Sequence, residues 1–415
     1  MSPQPTSRCR FCRAPLTRTF LDLGLQPLAN SYLTPEQLAA GNEPVYPLHT
    51  KVCDACFLVQ ADHEVPAEAI FDETYAYFSS FSPGWVEHAR RYAEAMTERF
   101  GLGPGSLVVE VASNDGYLLK HFLAKGIPVL GIEPTANTAE AARAIGVRTD
   151  VVFFNAETGK ALAARGDRAD LMAANNVLAH VPELNEFVGG FRHVLKPEGV
   201  LTFEFPHLLN LIEQVQFDPI YHEHYSYLSL LSVERILAAH GIRAFDVELL
   251  PTHGGSLRLF CCHIAAGHQE TDALRSLRAT ETAAGLGRVE TYDGFAVRVE
   301  AMRESFLAFL RQAEDDSLGV AAYGAAAKGN TFLNYCHATR DDILEVYDAN
   351  PAKQGRYLPG SHVPVKAPEA VRLLRPDFVL ILPWNLKDEI TKQLSFISEW
   401  GGRFVVASPV TLVLD

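Results

Sequence analysis

The chain has 415 residues, of which 48% are apolar and 21% are charged, and its formal net charge at pH 7 is −14. At roughly 150 residues per domain this length predicts about three domains, and the composition excludes a disordered or fibrous chain. No apolar run reaches the ~18 residues of a membrane span, and the first residues lack the apolar stretch of a secretory signal. We therefore expect a soluble, cytoplasmic protein. The acidic charge without a basic stripe argues against nucleic acid as the main partner.

Two CxxC pairs lie in the first 56 residues: Cys9 with Cys12, and Cys53 with Cys56. Residues 1–66 are punctuated by prolines and lack a long helical period, so they cannot bury enough apolar surface to fold alone. Four thiolates around one Zn²⁺ supply such a core. Four unrelated thiols and a redox CxxC are the alternatives, but no thioredoxin-like βαβ unit surrounds either pair. The sequence therefore predicts structural zinc held by these four cysteines.

The rest of the chain alternates between strand and helix patterns. Apolar spacing predicts a helix over 85–100, and from about 100 to 206 short apolar strands alternate with helices, which is typical of a doubly wound parallel sheet. A long amphipathic helix is predicted over 291–316, and strand–turn–helix units resume from about 316 to 415. The predicted class is α/β, with a small N-terminal zinc-binding module and two Rossmann-like domains. The predicted domains are 1–66, 67–245 and 246–415.

The first turn of the middle α/β unit follows a predicted strand and carries small and polar residues. Ligands of open parallel sheets bind beyond the carboxyl ends of the strands, but this turn lacks the GxGxxG that holds a pyrophosphate. It therefore suits a nucleoside without a diphosphate, and Glu133, at the end of the second strand, is placed to accept from the ribose hydroxyls. The pattern favours S-adenosylmethionine over NAD, with a tight turn beside an incidental glutamate as the alternative. The expected cofactor-binding residues are Glu110, Ser113, Asn114, Asp115, Gly116, Glu133 and Asn175.

The sequence resembles the C-methyltransferases that act on C-3 of TDP-linked 4-keto-deoxyhexoses in antibiotic-sugar pathways. Four features carry the resemblance, in the family's order and across essentially the whole chain: the paired CxxC motifs, ExxSNDGYLL at 110–119, YHEHYSY at 221–227 and YGAAAKGN at 323–330. The resemblance implies an N-terminal zinc domain, a central methyltransferase domain and a C-terminal Rossmann-like domain that holds the nucleotide sugar. It implies S-adenosylmethionine and structural Zn²⁺ as cofactors and a TDP-linked keto-deoxysugar as substrate.

Carbon methylation beside a ketone needs a base for the acidified C-3 proton, a group that stabilises the enolate oxygen and a sulfonium close to the carbanion. A histidine with a carboxylate partner can be tuned near neutral pH. By resemblance, His224 is the expected base, while Tyr221 and Glu223 contact the sugar or orient that base. In an extended segment His222 shares a face with His224, and we expect it to bind substrate. Ordinary aromatic packing is the alternative, and the absence of HExxH spacing disfavours a zincin-type metal site.

Two further active-site residues are implied by the resemblance alone. His180, after the fourth strand of the middle unit, is expected to bond the 4-keto oxygen of the sugar. Tyr75 matches an active-site tyrosine, with Tyr77 as a close rival. A histidine at a strand end is otherwise often a cap or a core group.

The nucleotide sugar is expected at the glycine-rich turn of the C-terminal domain. Its small residues permit close backbone approach, and Lys328 offers charge to the diphosphate. Asn330 is a second candidate phosphate ligand, and Asp348 ends the next strand where a dinucleotide fold places its ribose-binding acid. The turn at 253–256 is a further candidate lining of the sugar pocket. The alternative is a vestigial duplicate of a Rossmann unit.

The predicted function is S-adenosylmethionine-dependent C-methylation at C-3 of a TDP-linked 4-keto-6-deoxyhexose, by a monomer or weak homodimer. An O- or N-methyltransferase acting on a related substrate is the first alternative. An NAD-dependent oxidoreductase is disfavoured by the missing GxGxxG. A zinc-finger binding protein with an inactive enzyme body is disfavoured by the acidic charge.

Overall fold

The computed structural model describes residues 7–63, residue 65 and residues 78–414, which build three β-sheets. One sheet belongs to an N-terminal module (residues 7–63), and the other two are mainly parallel sheets that belong to a middle and a C-terminal domain. The predicted fold class, α/β with a small N-terminal module and two Rossmann-like domains, is confirmed. No helix in the described ranges combines the length and the apolarity that a bilayer span requires.

The N-terminal module is a small antiparallel sheet that is completed by a distant segment. Strand β1 (Arg18–Pro27) pairs with β2 (Val45–Val52), and β2 pairs with β3 (Val59–Ala61). Between β1 and β2 lies the short helix α1 (Pro35–Ala40). The outer edge of β3 pairs with residues 226–227 of the middle domain. The 221–227 segment, which is predicted to carry the base, is thus joined to the N-terminal module by backbone hydrogen bonds.

The middle domain is a seven-stranded sheet with the strand order β10-β11-β8-β7-β4-β5-β6. Its strands are β4 (Val108–Val111), β5 (Val129–Ile132), β6 (Thr149–Asp150), β7 (Ala169–Asn175), β8 (Leu195–Pro206), β10 (Ile242–Leu250) and β11 (Ser256–His263). Strand β9 (Ser226–Tyr227) lies between β8 and β10 in the chain but belongs to the N-terminal sheet. All strands of the seven-stranded sheet are parallel except β11, which runs antiparallel to both of its neighbours. The sheet includes residues 242–250 and 256–263, so it extends across the predicted division between residues 245 and 246.

The helices of the middle domain follow the alternation seen in the sequence. They are α2 (Pro83–Phe100), α3 (Leu119–Leu123), α4 (Ala136–Ala144), α5 (Ala156–Ala164), α6 (Leu184–Val194), α7 (Leu208–Glu213), α8 (Leu230–Ala239) and α9 (Asp272–Ala283). Helix α2 begins where Ser82 accepts the backbone N–H of Trp85, and it ends at Gly101 with a φ of 59°. Both signals are ordinary helix caps. Strands β4 and β5 are buried along their whole length, as expected for strands covered on both faces.

The C-terminal domain is a six-stranded sheet with the order β14-β13-β12-β15-β16-β17, parallel except for β17. Its elements are α10 (Glu290–Asp293), α11 (Phe295–Asp315), β12 (Val320–Tyr323), α12 (Ala327–Tyr335), β13 (Val346–Tyr347), β14 (Val365–Lys366), α13 (Val371–Leu374), β15 (Phe378–Ile381), α14 (Lys387–Gln393), β16 (Arg403–Val406) and β17 (Leu412–Leu414). The long helix predicted over 291–316 is divided at Gly294, a residue with poor helix propensity.

The N-terminal module packs on the C-terminal domain through a shared apolar core. Phe20 of β1 stacks on Phe295 of α11 with ring centroids 4.5 Å apart, and both side chains are buried. Nearby, Asn330 of α12 donates to the carbonyl of Ala29 at 2.6 Å. This packing brings the module, the middle domain and the glycine-rich turn of the C-terminal domain together around the candidate active site.

Candidate active site

The four predicted zinc ligands converge in the N-terminal module. The sulfur atoms of Cys9, Cys12, Cys53 and Cys56 all lie within 4.8 Å of one another. The sulfur of Cys9 is 3.5 Å from that of Cys56, and the sulfur of Cys12 is 3.5 Å from that of Cys53. Tetrahedral Zn–S bonds of about 2.3 Å require sulfur separations of about 3.8 Å, which this cluster fits. Gln60 adds an outer contact because its amide Nε2 donates to the sulfur of Cys9 at 3.2 Å. The donor set and its spacing therefore fit a Zn²⁺ ion held by four cysteines, in agreement with the prediction of structural zinc.

The turn after β4 has the tight backbone that close approach of a cofactor requires. Ala112, Asn114 and Gly116 have φ values of 57°, 49° and 79°. Ser113, between them, is fully buried, and a Cβ added at Gly131 of the neighbouring strand would lie 2.4 Å from its Oγ. The turn is therefore packed directly against β5 and has little freedom to move.

Carboxyl groups gather at this turn from the ends of the first two strands. Glu133 accepts the backbone N–H of Asn114 through Oε2 and that of Thr135 through Oε1, both at 2.9 Å. Burial raises the pKa of Glu133. Burial, and then the nearby carboxyl groups of Glu133 and Asp115, raise the pKa of Glu110 well above its usual range. The structure thus brings the predicted cofactor residues of β4 and β5 to one edge of the sheet.

The remaining predicted cofactor residue, Asn175, ends β7 on the same side of the sheet, beside Glu204 of β8 in the parallel register. The amide oxygen of Asn114 and the carboxylate of Asp115 accept the backbone N–H groups of Ser79 and Ser80, at 2.9 and 3.1 Å. The chain that precedes α2 therefore crosses over the turn.

His224 is held in one orientation by a backbone hydrogen bond. Its Nδ1 lies 2.7 Å from the carbonyl oxygen of Pro219. Because a carbonyl only accepts, Nδ1 carries the proton and Nε2 carries the lone pair. The imidazole of His180 packs edge-on against it with centroids 4.5 Å apart, and the Tyr221 ring lies 4.1 Å away on the same measure.

Both histidines of this pair are uncharged at neutral pH. Burial lowers the pKa of His180 to about 4. Burial, and then the neighbouring His180, lower the pKa of His224 well below its usual range. A neutral imidazole with a fixed tautomer can take a proton through Nε2, which is the chemistry of a general base.

His222 and Glu223 of the 221–227 segment face the N-terminal module. The His222 ring packs against Tyr46 of β2 with centroids 5.9 Å apart, and burial lowers its pKa. Glu223 accepts a hydrogen bond of 2.5 Å from the amide of Asn30, and burial raises its pKa. His222 and His224 thus have different neighbours, and a role for His222 in substrate binding stays a prediction.

The predicted nucleotide-sugar residues lie at the carboxyl edge of the C-terminal sheet. The amine of Lys328 is 5.4 Å from the centre of the Trp384 ring and, within the described part of the chain, has no hydrogen-bond partner. Burial lowers its pKa, against the opposing effect of Asp218. Asp348 accepts the backbone N–H groups of Ala325 and Asn350, each at 2.8 Å. This pattern repeats that of Glu133, so both Rossmann units brace the first turn with an acid from the second strand.

The structure adds neighbours that the sequence analysis did not single out. Tyr32 donates to the carbonyl of Ala325 at 2.5 Å, and Lys353 donates to the same oxygen at 2.6 Å. Trp384 donates to Asp218 at 2.9 Å. The residues joined by these contacts are tens to hundreds of positions apart, and no local motif marks them.

His253 lies in the turn at 253–256, which is predicted to be a candidate lining of the sugar pocket. It has a φ of 55°, and its ring is 5.5 Å from that of Trp85. Burial, and then the charge of Lys328, lower its pKa to about 4. After β6, the apolar residues Val151, Val152 and Phe153 are 43%, 38% and 49% exposed. Tyr75 and its rival Tyr77 lie outside the described residues.

Three family models match the chain in succession. They are described as "Putative zinc binding domain" over residues 9–71, "Methyltransferase domain" over residues 85–246 and "C-methyltransferase C-terminal domain" over residues 251–409. Their order is that of the module and the two domains described above.

Individual relatives cover very different shares of the chain. The C-methyltransferase NovU of Streptomyces niveus is 35% identical over 412 residues, which is 99% of this chain and 98% of that relative. A ubiquinone biosynthesis O-methyltransferase of Rhodopseudomonas palustris (strain BisA53) is 25% identical over 159 residues, 33% of this chain and 62% of that relative. Among solved structures, magnesium protoporphyrin IX methyltransferase of Synechocystis PCC 6803 with bound SAH is 17% identical, with a TM-score of 0.35 over 43% of this chain and 84% of that one.

Proposed function

The chain belongs to the S-adenosylmethionine-dependent C-methyltransferases that carry an N-terminal zinc-binding domain, and we propose that it methylates C-3 of a TDP-linked 4-keto-6-deoxyhexose. The observation that carries the proposal is the hydrogen bond of 2.7 Å between Nδ1 of His224 and the carbonyl of Pro219. It leaves Nε2 as the proton acceptor in a cluster of neutral imidazoles. Transfer of a methyl group to carbon needs such a base, because the C-3 proton must leave before the new bond forms.

The cofactor is proposed to lie on the edge formed by the turn after β4 and the end of β5. When bound, S-adenosylmethionine supplies an electrophilic methyl group. Glu133 already accepts the backbone N–H groups of Asn114 and Thr135, and it is positioned to accept from the ribose hydroxyls as well, since a carboxylate has about four lone-pair sites. Glu110 and Asn175 lie on the same edge and offer oxygen atoms to the polar groups of the cofactor.

The proton transfer is proposed to run from C-3 of the sugar to Nε2 of His224. The electron pair of the broken C–H bond moves into the neighbouring carbonyl and forms an enolate. With S-adenosylmethionine bound, that pair would form the new bond from C-3 to the methyl carbon while the bond from the methyl carbon to sulfur breaks, and S-adenosylhomocysteine would leave. His180 is proposed to donate a hydrogen bond to the enolate oxygen. Burial lowers the pKa of His180 to about 4, so the ring is neutral and carries a single N–H as its donor.

The nucleotide portion is proposed to lie on the C-terminal domain. Lys328, with a buried amine and no hydrogen-bond partner among the described residues, offers a donor to the diphosphate. Asn330 and Asp348 lie at the same edge, the first at the start of α12 and the second at the end of β13. Both already hold backbone groups of the surrounding loops, so their part in ligand binding is to shape the turn as well as to contact the ligand.

The test is mass spectrometry of TDP-4-keto-6-deoxyhexoses after incubation with the protein and S-adenosylmethionine, with the same sugars reduced at C-4 as the control. A gain of one methylene unit on the keto sugar alone is expected, because only the ketone acidifies C-3. Equal methylation of the reduced sugar would instead indicate an O- or N-methyltransferase.

His224→Ala tests the assignment of the base. We expect at least a hundredfold loss of methyl transfer, within the range that general bases contribute. Binding of S-adenosylmethionine, followed by calorimetry, is expected to stay near the wild-type affinity. Turnover close to wild type would remove His224 as the base.

A further inference from the structure

The carbonyl that orients His224 belongs to a short segment, residues 217–220, which is buried between two domains. Phe217 and Ile220 are fully buried and Asp218 is 4% exposed. The segment closes on itself because the backbone N–H of Ile220 donates to the carbonyl of Phe217 at 2.9 Å. The position of the Pro219 carbonyl is therefore fixed by whatever holds this segment in place.

Two side chains of the segment attach to the C-terminal domain. The ring of Phe217 packs against Phe332 and Tyr335 of α12, with centroids 5.9 and 5.2 Å apart. The carboxylate of Asp218 accepts the indole N–H of Trp384 at 2.9 Å. Trp384 lies in the turn after β15, and Asp218 is six residues before His224, so the contact spans from one domain to the other.

Trp384 itself is part of the sugar-binding edge proposed above. The amine of Lys328 lies over its ring at 5.4 Å, and a Cβ added at Gly254 would come within 2.4 Å of it. The indole is thus held between the middle domain and the residue proposed to meet the diphosphate. Its N–H has a fixed direction toward Asp218.

We propose that Asp218 is a positioning residue: its hydrogen bond to Trp384 docks the 217–220 segment on the C-terminal domain and so fixes the Pro219 carbonyl that orients His224. The inference rests on the proposed function, because it gives the base of that reaction its geometry. Asp218 acts through Pro219 and does not touch the reacting atoms. The indole of Trp384 would therefore both contact the bound substrate and fix the orientation of the base, His224.

Proton removal can be measured apart from methyl transfer. Wild-type protein is incubated in D₂O with a TDP-4-keto-6-deoxyhexose and without S-adenosylmethionine, and deuterium at C-3 is followed by NMR. Trp384→Phe keeps the ring and removes the N–H, and we expect C-3 exchange and kcat to fall together by about tenfold to a hundredfold, as for a small misplacement of a catalytic group. The affinity for S-adenosylmethionine and the thermal unfolding temperature are expected to stay close to those of wild type.

Asp218 provides a second pair of variants that does not depend on the tolerance of the Trp384 site. Asp218→Asn keeps a carbonyl acceptor for the indole N–H, whereas Asp218→Ala removes it. We expect Asp218→Ala to lose exchange as Trp384→Phe does and Asp218→Asn to recover most of that loss. An Asp218→Asn variant as slow as Asp218→Ala would overturn the proposal, because the charge and not the hydrogen bond would then be what matters.

Trp400→Phe is the matched control. It removes an indole N–H that donates to the carbonyl of Pro376 at 3.1 Å in the same domain, with no link to the 217–220 segment. Exchange at the wild-type rate is expected. If Trp384→Phe and Asp218→Ala also exchange at the wild-type rate, the positioning role is wrong while the proposed function stands. If wild-type protein neither exchanges C-3 nor methylates the sugar, the proposed function fails and the positioning role falls with it.

Discussion

Gly131 offers the sharpest structural test of the proposed cofactor site. A Cβ at this position would lie 2.4 Å from Oγ of Ser113, 3.0 Å from Cβ of Ser113 and 3.1 Å from Oγ1 of Thr149, whereas ordinary contacts are 3.4–4 Å. A new rotamer of Ser113 relieves the first contact and leaves the second, so the backbone of Ser113 must shift by about half an ångström. Ser113 is fully buried and lies between two residues of positive φ, and the shift therefore passes into the turn.

Gly131→Ala is expected to destabilise the protein by about 1–3 kcal/mol, the usual cost of overpacking. It is expected to weaken the binding of S-adenosylmethionine about tenfold, which corresponds to about 1.4 kcal/mol. Calorimetric titration and thermal unfolding measure the two effects. Gly103→Ala is the control, since a Cβ there meets nothing within 4 Å and its φ is not positive. A Gly131→Ala variant that binds the cofactor with wild-type affinity would refute the assignment of this turn.

Three other predictions concern the metal, the cofactor and the base. Cys53→Ser is expected to lose bound Zn²⁺ and to lower the thermal unfolding temperature, because metal binding and folding of such a module are coupled; one zinc per chain by elemental analysis would contradict this. Glu133→Gln keeps the size of the side chain and removes its charge, so we expect about tenfold weaker binding of S-adenosylmethionine, and an unchanged calorimetric affinity would count against a role at the ribose. Burial holds the pKa of His224 below the ordinary 6.5 of a histidine, so the base stays neutral to lower pH. In a profile of kcat against pH, we therefore expect the midpoint of the acid limb to lie below 6.5. A midpoint at 7 or above would contradict this assignment.

The zinc site shows what the local spacing of residues can and cannot predict. Each CxxC pair, Cys9 with Cys12 and Cys53 with Cys56, places two thiols near each other within one turn, so the ligand set could be read from the chain. The pairing of β3 with β9 could not, because a strand of two residues has no recognisable period. That pairing is what joins the zinc module to the segment carrying His224.

The same contrast holds for the sheets. The alternation of strands and helices predicted parallel α/β units, since each short apolar run is buried on both faces. The insertion of β11 between β8 and β10 is decided by pairing between residues about 50 positions apart, such as Leu257 with Phe205. No local pattern encodes which of two edges an antiparallel strand will join.

The sequence by itself determined the chemistry available to this protein: four thiols for zinc, acids at strand ends for a nucleoside, and histidines with aromatic neighbours for proton transfer. These follow from residue types at short spacing, where the covalent chain limits the geometry. The tertiary structure alone decided the tautomer of His224, because its Nδ1 is oriented by a backbone carbonyl, and every residue carries one. It also decided that Trp384 reaches Asp218 across 166 positions, because burial of Phe217 against α12 brings the two domains together.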